Sequence, residues 1–141
     1  VGNDGNGAEE INNAIKNNPR IKKLGWVPLP ELPSLISAAA AFVFSTFYEG
    51  FGLPILEALA CQKLTLASDI EPIREIAGDA VIYFDPHNPA QMADVIGQAL
   101  QSKDQLTTQL KPKWLETVKK FSWDNTARQT LAVLKAAAGL I

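Results

Sequence analysis

Short apolar runs and amphipathic stretches alternate along the first hundred residues of the chain. The continuous apolar run "AFVFS" at 41–45 is typical of a parallel strand buried on both faces. Two further runs, "LTLAS" at 64–68 and "AVIYF" at 80–84, predict strands of the same kind. A fourth strand is predicted at 20–27, "RIKKLGWV", from its spaced apolar residues. Together these runs indicate a parallel sheet.

Helices are predicted on either side of these strands, where apolar residues recur three or four positions apart. Pro19 ends the first of them, Gly78 ends a short one, and Pro112 predicts a break or kink in a long one. Ser122 is suited to cap a last helix. The predicted helices before that cap cover 8–18, 28–41, 54–61, 71–78, 89–102 and 104–121.

The order of these elements predicts the fold class. Strands and helices alternate until about residue 102, and helices then follow alone. This order is typical of an α/β fold, a Rossmann-like doubly wound parallel sheet, here with a helical carboxyl-terminal tail.

Composition narrows the classes of function. The 141 residues are 47% hydrophobic and 20% charged, as expected for one globular domain. A formal net charge of -2 argues against nucleic-acid binding. With one cysteine, Cys61, and one histidine, His87, neither an internal disulfide nor a zinc site built from those ligands is expected. We interpret His87 as a residue of the turn "DPHNP".

The first residues carry no targeting or ligand motif. No apolar run reaches the roughly 20 residues of a membrane-spanning helix, and "VGNDGNG" does not resemble a signal peptide, so a cytoplasmic location is expected. Ala8 and Glu9 occupy the Lys and Ser/Thr positions of a phosphate loop, and Ala8 also replaces a calcium ligand. A turn from a strand into a helix is the remaining interpretation, so we expect the chain to begin within a domain.

The stretch "EGFGLPILE" at 49–57 is the strongest candidate for a binding site. It follows a predicted strand, and ligands of open α/β sheets bind at the carboxyl ends of strands. Gly50 and Gly52 allow a ligand to approach the main chain closely, and Pro54 favours the start of a helix. The free N–H groups at a helix start suit an anion such as a diphosphate.

Two carboxylates flank this loop and suggest a second kind of contact. Glu57 lies in the apolar run "PILEALAC", so we expect it to be buried enough to need hydrogen-bond donors, such as ribose hydroxyls. Glu49 precedes the glycines and could reach a second polyol, the transferred sugar. The spacing alone leaves a simpler interpretation open, in which the segment is an ordinary helix start and both acids face water.

The stretch "YEGFGLPILEALAC" resembles the Glu-x7-Glu signature of retaining, nucleotide-sugar-dependent glycosyltransferases of the GT-B fold, the glycosyl transferases of group 1. The similarity extends upstream through "IKKLGWVPLPELPSLISAAAAFVFSTFYEGFG" and downstream through "ASDIEPIREIAGDAVIYFDPHNPAQMADVI" and "FSWDNTA". It therefore covers nearly the whole chain. One departure follows Cys61, where the family usually has a glycine with a proline nearby, and this chain has Gln62, Lys63 and Leu64.

The resemblance implies a role for each matched residue. Glu57 would hold the ribose hydroxyls, and Glu49, as the catalytic residue, would bind hydroxyls of the donor sugar and help to place its anomeric carbon. Val27 would lie near the base. The resemblance implies retention of anomeric configuration, with the leaving diphosphate assisting attack on the same face, and it implies neither a metal nor a cofactor. The main-chain amides that would meet the sugar and diphosphate are those of Gly50, Phe51, Gly52 and Leu53.

The resemblance also implies that residues 1–141 form a single, truncated donor-binding domain, the carboxyl-terminal domain of a GT-B enzyme without its first strands. The amino-terminal acceptor domain and the basic residues that face the diphosphate would be missing, so we expect the isolated chain to be inactive. In the usual strand order the first two strands lie between the third and the fourth, so a gap in the sheet is expected. Repaired pairing, dimerisation through exposed edges and pairing with the missing segment remain open.

The expected function is transfer of a hexose from a nucleotide-diphospho-sugar, such as GDP-mannose or UDP-glucose, to a glycan or lipid-linked acceptor. The lysines of "KPKWLETVKK" at 111–120 are most simply a solvated helix face, and peripheral membrane contact of the full protein stays open. Two alternatives also stay open. The chain could be a non-catalytic nucleotide-binding or assembly module with the same fold, or an unrelated doubly wound binding protein.

Overall fold

The computed structural model describes residue 5 and residues 7–140. The chain divides into two compact units, Val1–Leu35 and Ile36–Ile141. The predicted strand end at residues 1 and 2 lies outside the described residues.

The first unit contains helix α1, Ala8–Lys16, as predicted. Gly7 precedes the helix with a positive φ of 79°, a conformation that favours glycine. None of the residues of α1 is buried. Within this unit the Lys23 ammonium donates to the side-chain oxygen of Asn12 at 2.9 Å, so a polar contact connects the helix to the segment that follows it.

The strand predicted at 20–27 is wrong. This segment has no regular secondary structure, and no described strand pairs with it. Its apolar residues recur every third position, whereas a half-buried strand needs alternation with a period of two. In addition, Gly25 has a φ of 67°, which interrupts an extended backbone. The apolar residues of this segment therefore do not form the extended strand that was predicted for them.

The second unit is built on a parallel sheet of three strands. The strands pair in the order β1-β2-β3, with Val43 opposite Leu66 and Leu66 opposite Ile82. All three strands were predicted, as was their parallel pairing. Since β1 and β3 each pair on one side only among the described residues, both are edge strands here. The strands are β1 (Phe42–Phe44), β2 (Thr65–Ser68) and β3 (Ile82–Phe84).

The helices that connect and follow these strands confirm the predicted alternation. Helix α2 spans the boundary between the two units, and the others belong to the second. The second unit therefore runs from strand to helix three times and ends in two helices without a further described strand. The helices are α2 (Leu32–Ala38), α3 (Leu53–Ala60), α4 (Glu71–Ala77), α5 (Pro89–Gln101), α6 (Lys103–Lys119) and α7 (Trp123–Ala137).

The core of the second unit lies where α3, α4 and α6 meet the sheet. The inner face of α3 contributes side chains that no solvent reaches, and Trp114 of α6 is equally buried. The indole N–H of Trp114 donates to the carbonyl of Ala80 at 2.9 Å, which satisfies its polar atom inside the core. Large core residues include Ile55, Leu59, Leu66, Ile73, Phe84 and Trp114.

Helix α6 continues without interruption through Pro112, so of the predicted break or kink the break is wrong, and the kink stays a prediction. A proline removes one N–H donor from a helix and crowds the preceding turn. Here Leu110, Trp114 and Thr117 are buried on either side of it, so packing of this face holds the helix together.

The segment after α3 ends the helix with a left-handed residue that is not glycine. Gln62 has a φ of 52°, a left-handed conformation in which glycine is usually found. The N–H of Lys63 donates to the carbonyl of Ala58 at 3.0 Å, and the N–H of Gln62 donates to Leu59 at 2.9 Å. These two bonds close the helix end as a Schellman motif. The Lys63 ammonium in turn donates to carbonyls at the end of α2, including Ser37 at 2.8 Å.

Candidate functional site

The loop that joins β1 to α3 lies at the carboxyl edge of the sheet, as predicted. Its beginning is attached to the neighbouring strand, because the N–H of Thr46 donates to the buried hydroxyl oxygen of Ser68 at 2.8 Å. The Thr46 hydroxyl then donates to the carbonyl of Tyr48 at 2.8 Å. Two hydrogen bonds therefore fix the direction in which the loop leaves β1.

Gly52 ends this loop and immediately precedes α3. It has a φ of 102°, which disfavours any residue with a Cβ. A Cβ atom built on Gly52 would lie 2.9 Å from the Cδ1 atom of Ile73 in α4, closer than real contacts allow. The conformation favours glycine here, and any larger residue would also have to displace the end of the Ile73 side chain.

The amides at the start of α3 include donors without an acceptor among residue 5 and residues 7–140. The N–H groups of Phe51, Gly52 and Leu53 donate to no acceptor in the part of the chain that the structure describes. The N–H of Gly50 differs, since it donates to the Glu49 carboxylate at 3.1 Å. Three of the four predicted donors are thus unengaged, and the fourth is bonded to the acid that was predicted to bind sugar.

The two predicted acids have different surroundings. Glu49 is half-buried and bonded to the Gly50 amide. Glu57 is exposed on the outer face of α3, and its carboxylate makes no hydrogen bond or ion pair with described residues. The expected burial of Glu57 is therefore wrong. The apolar residues around it in sequence belong to the opposite face of the helix, where Ile55, Ala58 and Leu59 enter the core.

The Glu57 side chain lines a groove of about 450 Å³. One wall is the outer face of α3, and the other is the turn from α6 to α7. Phe51 and Phe121 meet edge to face at one end, with ring centres 5.6 Å apart. The groove is mostly apolar, with Glu57 and Ser122 among its polar groups. Its lining residues are Phe51, Leu53, Leu56, Glu57, Ala60, Val118, Phe121, Ser122, Trp123 and Thr126. We call these residues the α3 groove.

The second wall of the α3 groove contains residues that the sequence analysis did not assign to a site. Phe121 and Trp123 are more than sixty positions from Glu57 in the chain. The cap at Ser122 predicted where α7 begins, and Ser122 indeed accepts a hydrogen bond from the N–H of Asn125. No local pattern, however, predicts which surface that turn meets. Glu49 is not among the residues that line this groove.

A charged pair occupies the same edge of the sheet, one strand away. Asp69 follows β2, and Arg74 of α4 donates to both of its carboxylate oxygens, through Nε and, at 2.6 Å, through Nη2. This hydrogen bonding lowers the pKa of Asp69 below its usual range and raises the pKa of Arg74. The guanidinium also lies 4.7 Å from the ring centre of Tyr83, whose pKa is raised by burial. Arg74 is therefore already engaged by an acid.

Val27 belongs to the Val1–Leu35 unit, where it is half-buried in the segment without regular structure. Its contact with a base stays a prediction. No group of three or more potential metal ligands occurs among residue 5 and residues 7–140. Within the same residues, no helix has both the length and the apolar character needed to cross a membrane.

Residues 1–115 match the family model "Glycosyl transferases group 1". This chain belongs to that family. The matched residues of this group 1 glycosyltransferase include the loop after β1, the acids Glu49 and Glu57, and the whole of α3. The residues of the α6–α7 turn fall beyond it.

Known proteins agree with this assignment. The group 1 chain is 40% identical over 115 residues to an O-antigen chain mannosyltransferase B of Escherichia coli, covering 82% of this chain and 30% of that protein. A sucrose-phosphate synthase structure from Thermosynechococcus elongatus matches 99% of this chain and 38% of its own with a TM-score of 0.84 at 22% identity. The Anabaena protein HepE, solved in complex with UDP, matches with a TM-score of 0.77 at 19% identity, over 91% of this chain and 36% of that one.

The two solved structures establish the GT-B type of α/β, Rossmann-like fold for this chain. The group 1 chain spans about a third of the length of the proteins named here.

Proposed function

We propose that this chain is the donor-binding part of a glycosyltransferase that moves a hexose from a nucleotide-diphospho-sugar to an acceptor. Family membership supports the transfer of sugar. The observation that carries the donor assignment is the combination of unengaged amides at the start of α3 with an unpaired Glu57 carboxylate on the same helix. A nucleotide sugar needs both, because it contains a diphosphate and several hydroxyls.

In this proposal the start of α3 binds the anionic part of the donor. The N–H groups of Phe51, Gly52 and Leu53 have no acceptor among the described residues, and the helix dipole adds partial positive charge there. Gly52 lets the loop pack closely on Ile73 of α4, which fixes where these amides lie. The N–H of Gly50 also donates to the ligand once the Glu49 carboxylate releases it and binds the ligand instead.

The acids in this proposal bind hydroxyls rather than phosphate, since a carboxylate repels an anion. Glu57 accepts hydrogen bonds from the ribose, and Val27 lies near the base. Glu49 accepts hydrogen bonds from the donor sugar and holds its anomeric carbon in place, which is a positioning contribution to catalysis. The acceptor attacks the anomeric carbon on the face from which the diphosphate leaves, and the leaving diphosphate assists this attack. The anomeric configuration is therefore retained.

GDP-mannose and UDP-glucose are the donors that we propose to test first. The name of the Escherichia coli relative specifies a mannosyltransferase, and the HepE structure contains UDP. We propose further that residues 1–141 are one domain of a longer cytoplasmic enzyme whose other domain binds a glycan or lipid-linked acceptor. We also propose that the longer enzyme contacts a membrane peripherally. Two copies of the chain would pair through their exposed sheet edges.

The isolated chain should bind donor weakly and transfer no sugar. Its cation at the sheet edge, Arg74, is engaged by Asp69, so a basic clamp for the diphosphate must come from elsewhere. One observation favours the alternative of a non-catalytic nucleotide-binding or assembly module. The Glu49 carboxylate already accepts a hydrogen bond from the N–H of Gly50. Such a bond within the loop is expected if Glu49 no longer binds a sugar.

A titration followed by amide NMR tests the proposal, because it detects millimolar binding. UDP, GDP, UDP-glucose and GDP-mannose are added to the chain, to Glu57→Ala and to the matched control Glu116→Ala, an exposed helical acid outside the α3 groove. We expect shifts at residues 50–57 and a roughly tenfold to hundredfold loss of affinity in Glu57→Ala alone. Equal affinities in all three proteins would contradict the assignment of Glu57.

Two further results separate the remaining hypotheses. Binding of plain nucleotide with the same affinity as nucleotide sugar in both Glu49→Gln and the unmodified chain would favour the non-catalytic module. No shift with any of the four ligands at millimolar concentration, and none after the chain is extended upstream in its reading frame, would refute nucleotide binding altogether.

A further inference from the structure

The ring of His87 contacts the loop that carries Glu49. Its centre lies 5.0 Å from the ring centre of Phe47, and the two planes are tilted by 31°. Phe47 stands two positions before Glu49 in the loop after β1, whereas His87 stands in the turn after β3. Because the carboxyl ends of parallel strands share one edge, this turn reaches over β2 to meet the loop.

The turn that carries His87 is tightly held. The N–H of His87 donates to the Asp85 carboxylate at 2.8 Å. The N–H of Asp85 donates to the side chain of Gln91 at 2.9 Å, and the N–H of Gln91 donates to the Asn88 side chain, which caps α5, at 3.0 Å. The ring of His87 therefore projects from a turn that is bonded both to the end of β3 and to the start of α5.

Among the described residues, the loop that receives this contact is otherwise held at its beginning and at its end, where Phe51 also packs on Phe121. Thr46 is bonded to Ser68, and Gly52 is packed against Ile73. Between them the side chain of Phe47 is 69% exposed, and Tyr48 is still more exposed. The ring of His87 therefore contacts the middle of the loop from outside, close to Glu49 in the chain.

We propose that His87 is a positioning residue that acts through Phe47 to hold Glu49 and the neighbouring amides in the geometry that binds donor. The proposal rests on the function proposed above. An aromatic pair of this kind restricts the loop before ligand arrives, so less conformational freedom is lost on binding. Removing the ring should lower donor affinity about threefold to tenfold, without unfolding the domain.

The test compares His87→Ala with His87→Phe, which keeps a ring at the same position. Hydrogen exchange of the two bonded loop amides, those of Thr46 and Gly50, is measured first without ligand, and donor affinity is then measured by the NMR titration with UDP-glucose and GDP-mannose. We expect faster exchange and weaker binding in His87→Ala, recovery of both in His87→Phe, and unchanged melting temperatures. Adding Phe47→Ala to His87→Ala should cause little further loss, because both changes remove the same contact.

The outcomes separate this inference from the proposed function. Unchanged exchange in His87→Ala would overturn the contact itself, and faster exchange with unchanged donor affinity would overturn its role in positioning. A lack of recovery in His87→Phe would show that the imidazole is needed for something other than ring contact. If exchange responds as expected but no variant binds donor, the proposed function fails and His87 is left as a loop contact only.

Discussion

Helices α6 and α7 follow each other in the chain and are of similar length, yet they relate to the core in opposite ways. Helix α6 buries Leu110, Trp114 and Thr117, whereas α7 buries none of its residues. Leu131 and Leu134 of α7 are exposed although they recur at helical spacing. An amphipathic pattern therefore predicts that a helix forms, but the partner of its apolar face must be identified from the three-dimensional structure.

The candidate site lies between α3, which packs on the core, and the turn from the buried helix α6 to the exposed helix α7. Helix α3 directs Ile55 and Leu59 into the core and Leu53 and Glu57 outward. The turn from α6 to α7 forms the opposite wall of the α3 groove. Packing thus fixes the backbone that carries the site, and the exposed face of the same helix stays available for a ligand.

The comparison is most sharply tested with two tryptophans, one in each helix. Trp114 is fully buried, and Trp123 at the start of α7 is 80% exposed. Trp114→Ala should lower the free energy of unfolding by about 3–5 kcal/mol, because it leaves a large cavity. Trp123→Ala should change it by about 0.5 kcal/mol or less. Urea denaturation of both variants measures the difference, and similar losses would mean that α7 is packed in solution.

The second prediction concerns the boundary between core and site. Gly52→Ala places a Cβ against Ile73 at a left-handed φ, so unfolding free energy should fall by about 2 kcal/mol. Gly50→Ala is the matched control, since nothing lies within 4 Å of a Cβ there. Thermal unfolding compares the two. An equal tolerance of both changes would indicate that the loop readily moves away from α4.

Gln62→Gly should stabilise the end of α3. A glycine relieves the left-handed backbone at this position and should raise the free energy of unfolding by about 1 kcal/mol. Gln62→Ala keeps the Cβ and should bring no such gain. If urea denaturation finds no difference between the two variants, the Gln62 backbone is not strained.

Much of the second unit could be predicted from the sequence. The strands at 42–44, 65–68 and 82–84 lie within short apolar runs, and glycine and proline mark the helix boundaries. The strand at 20–27 was predicted wrongly because a strand depends on a pairing neighbour as well as on its own residues. Packing of residues on either side of Pro112 likewise outweighed the helix-breaking tendency of proline.

The candidate site could be predicted only in its local part. The loop and the helix start follow from glycines and a proline next to each other in the chain. The exposure of Glu57 depends on which face of α3 enters the core, and the positions of Trp123 and His87 depend on contacts between distant segments. Single-sequence periodicity contains no information about such contacts, so Trp123 was missed as part of the α3 groove, whereas His87 lies in the turn that was predicted for it.

The smallest expected effect tests the exposed helix itself. Leu131→Ala and Leu134→Ala should each change the free energy of unfolding by about 0.5 kcal/mol or less, because both side chains are already in water. Leu110→Ala in α6 changes a buried leucine, should cost about 2–5 kcal/mol and serves as the matched control. A loss in α7 as large as the control would require a partner for its apolar face. A melting temperature that rises with protein concentration would then identify that partner as a second copy of the chain, and one that stays constant would assign the packing to the chain's own surface.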